Sequence, residues 1–129
     1  MAGNDFGYNR TFSEWVLRHV EPGDLVVGIS TSGHSPNICM AIRAAARFTK
    51  TWGLIGRVGS QLEKLCWKSI VLGTGKGLEE VKIAEDVHLS ICHMVTQVIG
   101  MVSESHAKGK GETIKFERPL VAAMEGDPN

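Results

Sequence analysis

Ser30, Thr31, Ser32 and Ser35 crowd around Gly33 in the stretch GISTSGHSPN. Four hydroxyls between positions 30 and 35 are more than a turn needs. Hydroxyls donate neutral hydrogen bonds to a phosphate without requiring a lysine, and a glycine among them lets the backbone approach closely. The stretch follows the apolar run DLVVGI and precedes a helix that opens at Pro36. That is where open parallel sheets place ligands, and where unpaired N–H groups and the helix dipole favour an anion. The plainer reading is a serine-rich turn in which Ser35 alone matters, as a helix cap. Spacing and position weigh the two readings equally.

A second set of reactive side chains lies in VHLSICH, which holds His88, Cys92 and His93. Histidine as a residue type titrates near neutrality, which suits a proton shuttle. For His93 the plainer alternative is a helix histidine bonded at a packed interface. His88 stands one turn before Cys92, a spacing that could hold a metal. With no other ligand in evidence, it reads as a structural residue beside a buried thiol. Other signatures fit poorly. GTGKG at 73–77 carries a lysine but lacks the outer glycine and the Ser or Thr of a phosphate-binding P-loop. GISTS lacks the closing glycine of a nucleophile elbow, and no dinucleotide fingerprint occurs.

These residues need elements to position them. TFSEWVLRHV predicts a helix with Phe12, Trp15, Val16 and His19 on one stripe, closed by EPGD. DLVVGI reads as a strand buried on both faces of a parallel sheet. With Ser35 as N-cap and Pro36 at the first helical position, the next helix runs to about Arg47. It buries Ile38, Ile42 and Ala45 and exposes Arg43 and Arg47. TWGLIG at 51–56 is a second strand, SQLEKLCW a short helix, and SIVLG at 69–73 a third strand. A long helix spans 78–104, with Val87, Ile91, Val95, Val98 and Val102 as its inner stripe. Val81, Cys92 and Ile99 lie off that stripe, so this helix should be buried on most sides, by other copies of the chain. Residues 105–129 shift to Gly, Lys and Pro and read as a mobile tail, with TIKFERPLV as an edge strand. Strands alternating with helices give an α/β fold with a parallel sheet, over residues 1–104.

Composition narrows the function classes. The chain has 129 residues, 43% of them apolar, enough for one domain with a core. Fourteen basic and fourteen acidic residues cancel, so the chain as a whole has no footprint for nucleic acid. No run is long enough to span a membrane, and three widely spaced cysteines read as reduced thiols of a cytoplasmic protein.

GISTSGHSPN resembles the phosphate loop of sugar isomerase (SIS) domains. Together with NDFGYNRTFSEWV before it and AEDVHLSICHMV after it, it resembles the phosphoheptose isomerase branch over about the first hundred residues. The resemblance implies a three-layer α/β fold with flavodoxin-like winding and an aldose–ketose isomerase working through an enediol. The implied substrate is a phosphosugar of the sedoheptulose 7-phosphate class. It implies that Ser30, Thr31, Ser32 and Ser35 hold the phosphate, and that Gly33 and Asp5 serve the substrate, Asp5 at sugar hydroxyls. His34 stands where asparagine is usual. His93 matches the histidine assigned to acid–base transfer, and Glu85 replaces a glutamine that contacts substrate or metal. No cofactor is required by the resemblance, but some members carry zinc. Eight helical residues separate Glu85 from His93 by roughly 12 Å, so one ion could use both only from different subunits or across a helix break. The implied assembly is a homo-oligomer, a tetramer with sites at subunit junctions, without nucleic-acid or membrane partners.

The family domain begins with a helical segment, two strands and a first glycine-rich loop, a region that supplies a catalytic glutamate, whereas this sequence opens at MAGND. The expectation is an N-terminally truncated domain with DLVVGI exposed at a sheet edge and little turnover from the isolated chain. The alternative is a non-enzymatic phosphosugar-binding or regulatory protein-binding module.

Overall fold

The computed structural model describes residues 7–110 and the two-residue strand Ala123–Met124. A 3-10 turn at Tyr8–Arg10 leads into helix α1 (Thr11–His19), strand β1 (Leu25–Ser30) and helix α2 (Pro36–Ala45). Strand β2 (Lys50–Ile55), the short helix α3 (Gln61–Leu65), strand β3 (Lys68–Val71) and helix α4 (Leu78–Lys110) follow, with β4 at Ala123–Met124. The sheet order is β3-β2-β1-β4 and every pairing is parallel. β1 pairs with β2 from Leu25↔Lys50 to Ser30↔Ile55, so both strands end level at their carboxyl ends. The expected α/β architecture with a long C-terminal helix is therefore present.

Glycine brings α2 onto the sheet. A Cβ at Gly28 would lie 2.9 Å from Ile42 and 3.1 Å from Ile38, closer than side chains pack. Without one, α2 lies directly on the β1 backbone. Ile38, Cys39 and Ile42 of α2 join Ile55 and Leu62 in the main buried cluster. Losing one such aliphatic side chain to alanine typically costs about 2–5 kcal/mol. Val16 of α1 packs with Ala41 and Ala45 on the outer side of α2. This clamp fixes where β1 ends and where α2 begins, which is all that the hydroxyl loop requires.

Several sequence expectations are corrected. Trp15 and His19 do not face the core; they stack on each other at the surface, ring centroids 4.5 Å apart. The inner stripe of α4 is not the valine series. Ala84 and His88 are its buried residues, while Val87, Val95, Val98 and Val102 are exposed. α4 meets the sheet at β2 through its first turns. A small residue allows close approach there, whereas the valines lie on other faces or further along. The helix also continues six residues past 104, to Lys110, so the expected boundary falls inside it. The β1 edge, expected to be open, is partly taken by β4, which pairs Ala123 with Gly28 and Met124 with Ile29. The strand expected at 113–121 lies outside the described residues. Among those described, no helix is long and apolar enough to cross a membrane.

Candidate functional site

Ser30 ends β1, and the chain then turns through Gly33 at φ 70° before α2 starts at Pro36. Only glycine adopts that backbone without strain. A side chain at position 33 would also collide with Ser60, the N-cap residue of α3. The Ser60 hydroxyl accepts the Glu63 N–H, while the Glu63 carboxylate accepts the Gly59 N–H at 2.7 Å. These reciprocal bonds hold the first turn of α3 in place. From there the Leu62 N–H donates to the Gly33 carbonyl at 2.9 Å. On the other side the Thr31 carbonyl accepts the N–H groups of Gly56 and Arg57, each at 3.1 Å. Gly56 in turn accepts the Thr74 N–H at 2.8 Å. The three loops after β1, β2 and β3 are thus tied by backbone bonds at the carboxyl end of the sheet.

The four hydroxyls converge. Ser30, Thr31, Ser32 and Ser35 are only 1–4% exposed. The Ser30 hydroxyl oxygen accepts the Gly33 N–H at 3.0 Å and lies 3.0 Å from that of Ser35. Ser32 Oγ accepts the His34 N–H at 3.1 Å. Ser35 holds the expected N-cap position, but its side chain is turned to Ser30 and makes no cap bond to the helix. The reason is competition: the Ile38 N–H that a cap would take is already held by Asn37 Oδ1 at 2.8 Å, and the neighbouring hydroxyl offers Ser35 a partner instead. Thr31 Oγ1 is buried with no partner among the described residues. Hydroxyl hydrogens rotate, so this ring can exchange its internal bonds for bonds to an anion. In so dry a setting each such bond is stronger than in water. Access requires the loop or its cover to yield.

Beneath the loop the Cys39 thiol reaches toward the Gly33 carbonyl at 3.9 Å. Burial raises its pKa, against a smaller lowering by Arg43, and burial also pushes the Cys66 thiol up to about 11. Both thiols are therefore poor nucleophiles.

Glu85 and His93 are exposed on α4, and neither makes a hydrogen bond or ion pair with the loop among the described residues. Along a helix they stand roughly 12 Å apart. No three His, Cys, Asp or Glu side chains gather among the described residues to hold a metal ion. Zinc does not fit Glu85 and His93 of one chain together. Asp5 lies outside the described residues. His88 is buried, and neither ring nitrogen makes a hydrogen bond of good geometry. Burial lowers its pKa, partly offset by the Ile55 backbone oxygen and by Glu85. Sequence reasoning overlooked Asn37, which follows Pro36 in the first turn of α2 and is 1% exposed. Asn37 lies off the stripe of Ile38, Ile42 and Ala45, so the periodicity of α2 did not mark it for burial.

The fold and the hydroxyl loop are similar to those of sugar isomerase (SIS) domains. Within that class the chain is phosphoheptose isomerase-like. It is 38% identical over 98 residues to phosphoheptose isomerase of Pelobacter propionicus, covering 75% of this chain and 50% of the relative. It is 32% identical over 109 residues to that of Citrifermentans bemidjiense, covering 84% and 54%. The solved phosphoheptose isomerase of Neisseria gonorrhoeae superposes with a TM-score of 0.66 at 28% identity, over 78% of this chain and 54% of that one. That of Francisella tularensis gives 0.64 at 26% identity, over 76% and 51%. No family model matches the chain. The chain spans about half the length of the curated relatives it matches.

Proposed function

We propose that the loop from Ser30 to Ser35 holds the phosphate of a phosphosugar, and that the chain works in an aldose–ketose isomerase of the phosphoheptose isomerase type. The substrate is of the sedoheptulose 7-phosphate class. The observation that carries this reading is the buried hydroxyl ring at the start of α2, with Thr31 Oγ1 lacking a partner. The relatives named phosphoheptose isomerase support it. Such an isomerisation moves a proton between adjacent carbons through an enediol, so the phosphate anchor supplies positioning and other groups supply acid and base. His93 is the proposed proton carrier, with Glu85 as a second catalytic group and Asp5 at the sugar hydroxyls.

Glu85 and His93 make no bond to their own chain's loop among the described residues, and α4 exposes Met94, Val98, Met101 and Val102. Both features support a homo-oligomer, a tetramer in this reading, in which these side chains serve the loop of another copy. Zinc, if bound, would draw Glu85 and His93 from different copies. Three free cysteines support a cytoplasmic setting. The second reading, a phosphosugar-binding module without turnover, is favoured by the absence of any carboxylate or histidine bonded to the loop among the described residues.

Calorimetric titration with inorganic phosphate and sedoheptulose 7-phosphate tests the anchor. Ser32→Ala should weaken both by on the order of 1 kcal/mol or more, the value of a hydrogen bond to a charged group. Unchanged affinity in both Ser30→Ala and Ser32→Ala would remove the phosphate reading. Turnover by the wild-type chain that disappears in His93→Gln separates the enzyme from the binding module.

A further inference from the structure

Asn37 is the second residue of α2 and 1% exposed. Its Oδ1 accepts the Ile38 N–H at 2.8 Å. A backbone N–H can only donate, so the oxygen end of the amide is fixed there and the other end is the Nδ2 donor. Nδ2 is buried and has no acceptor among the described residues. A buried donor without an acceptor is rare and unfavourable, and it calls for a cause. Side chains on a helix lean toward its N-terminus, so a first-turn amide sits at the end where the hydroxyl loop joins α2. Thr31 Oγ1, within that loop, is also buried without a partner among the described residues. Two unsatisfied groups flank one anion-favouring helix start, and one of them is a fixed donor.

We propose that Asn37 Nδ2 is a further donor to the bound phosphate, an inference that rests on the phosphate reading of the loop. It gives the site a directional amide donor beside its rotatable hydroxyls, and accounts for an amide at a position otherwise suited to an apolar residue.

Asn37→Asp is the sharpest test. The aspartate keeps an oxygen to accept the Ile38 N–H and suits the helix dipole, which offsets part of the cost of burying its charge, so the free protein should stay folded and melt somewhat below wild type. It replaces the donor with a negative oxygen, so inorganic phosphate should bind roughly 10- to 100-fold more weakly. In the wild type, the side-chain amide resonances that vanish in Asn37→Asp should shift when inorganic phosphate is added. If Asn37→Asp binds inorganic phosphate as tightly as wild type while Ser32→Ala does not, the amide is purely structural and the inference fails alone. If wild type, Ser30→Ala and Ser32→Ala all bind phosphate equally, or none binds it, the loop reading falls and Asn37 falls with it.

Discussion

The hydroxyl loop and the distal half of α4 invert the usual rule in opposite directions. The loop is polar and buried, its four hydroxyls 1–4% exposed; the helix is apolar and bare, with Met101 at 64% and Val102 at 63%. Scattered exposed apolar residues need no explanation, but a buried polar cluster and a continuous apolar face each do. The loop is closed by bonds from its own chain, through Gly56, Arg57 and Leu62. The distal helix finds no such cover among the described residues. The difference is between a polar cluster that one copy covers by itself and an apolar face that the described residues leave bare; in the proposed reading the first is the phosphate anchor and the second is covered by other copies.

The largest effect should come from breaking the helix half of that comparison. Val98 and Val102 are one turn apart and both exposed. Each valine buried between copies contributes about 1.5–3 kcal/mol, and a buried unpaired carboxylate reverses the sign. Val98→Glu with Val102→Glu should reduce the mass in solution to that of one chain, as read by sedimentation. Phosphate affinity should stay where it was, because the loop is built within the chain. A wild-type chain already monomeric at micromolar concentration would show that the apolar face is not an interface between copies.

Gly33→Ala attacks the loop half. Alanine at φ 70° is strained by roughly 1–2 kcal/mol, and its Cβ meets Ser60 head-on. Relieving that collision adds about 1–3 kcal/mol. The expected loss is roughly 3 kcal/mol in denaturant unfolding, with phosphate binding abolished and the assembled mass retained. A chain that binds phosphate normally with alanine at 33 would mean that the turn is softer than its bonds imply.

Sequence made the two halves legible to different degrees, for physical reasons. The β1–loop–α2 unit is local: an apolar run, a glycine and a proline at a helix start constrain one another within a dozen residues. Even there the Ser35 side chain took a neighbour's hydroxyl in place of a helix N–H, and Asn37 passed as an ordinary first-turn residue. On α4 the periodicity offered more than one apolar stripe, and it could not say which one a sheet covers. Ala84 and His88, the residues that do face inward, carry weak hydrophobic signals. Glu85 and His93 are exposed and bond to no loop among the described residues, so no intrachain contact marks them out.

The smallest predicted effect sharpens the comparison at the point where the halves meet. His88 joins the packed start of α4 to the end of β2, and it is buried without a well-formed hydrogen bond. Burial lowers its pKa in the folded chain; the Ile55 carbonyl and Glu85 oppose the shift without cancelling it. Above the unfolded value of about 6.5 the imidazole is neutral in both states, and its stability contribution is complete. As pH falls below about 6.5 the unfolded chain takes up a proton that the folded chain resists. Stability therefore falls on acidification, by up to about 1.4 kcal/mol per pH unit, until the folded pKa is reached. Urea unfolding between about pH 7 and pH 5 should show this slope in wild type. His88→Leu should remove it, and should leave the protein no less stable at pH 5, because it replaces a desolvated polar ring with an apolar side chain of similar reach. The other described histidines, His19, His34, His93 and His106, are exposed and remain in the variant as internal controls. An unchanged acid slope in His88→Leu would show that the slope does not come from His88. The first turns of α4 would then be held by apolar packing alone, with no buried charge balance where the helix leaves the sheet.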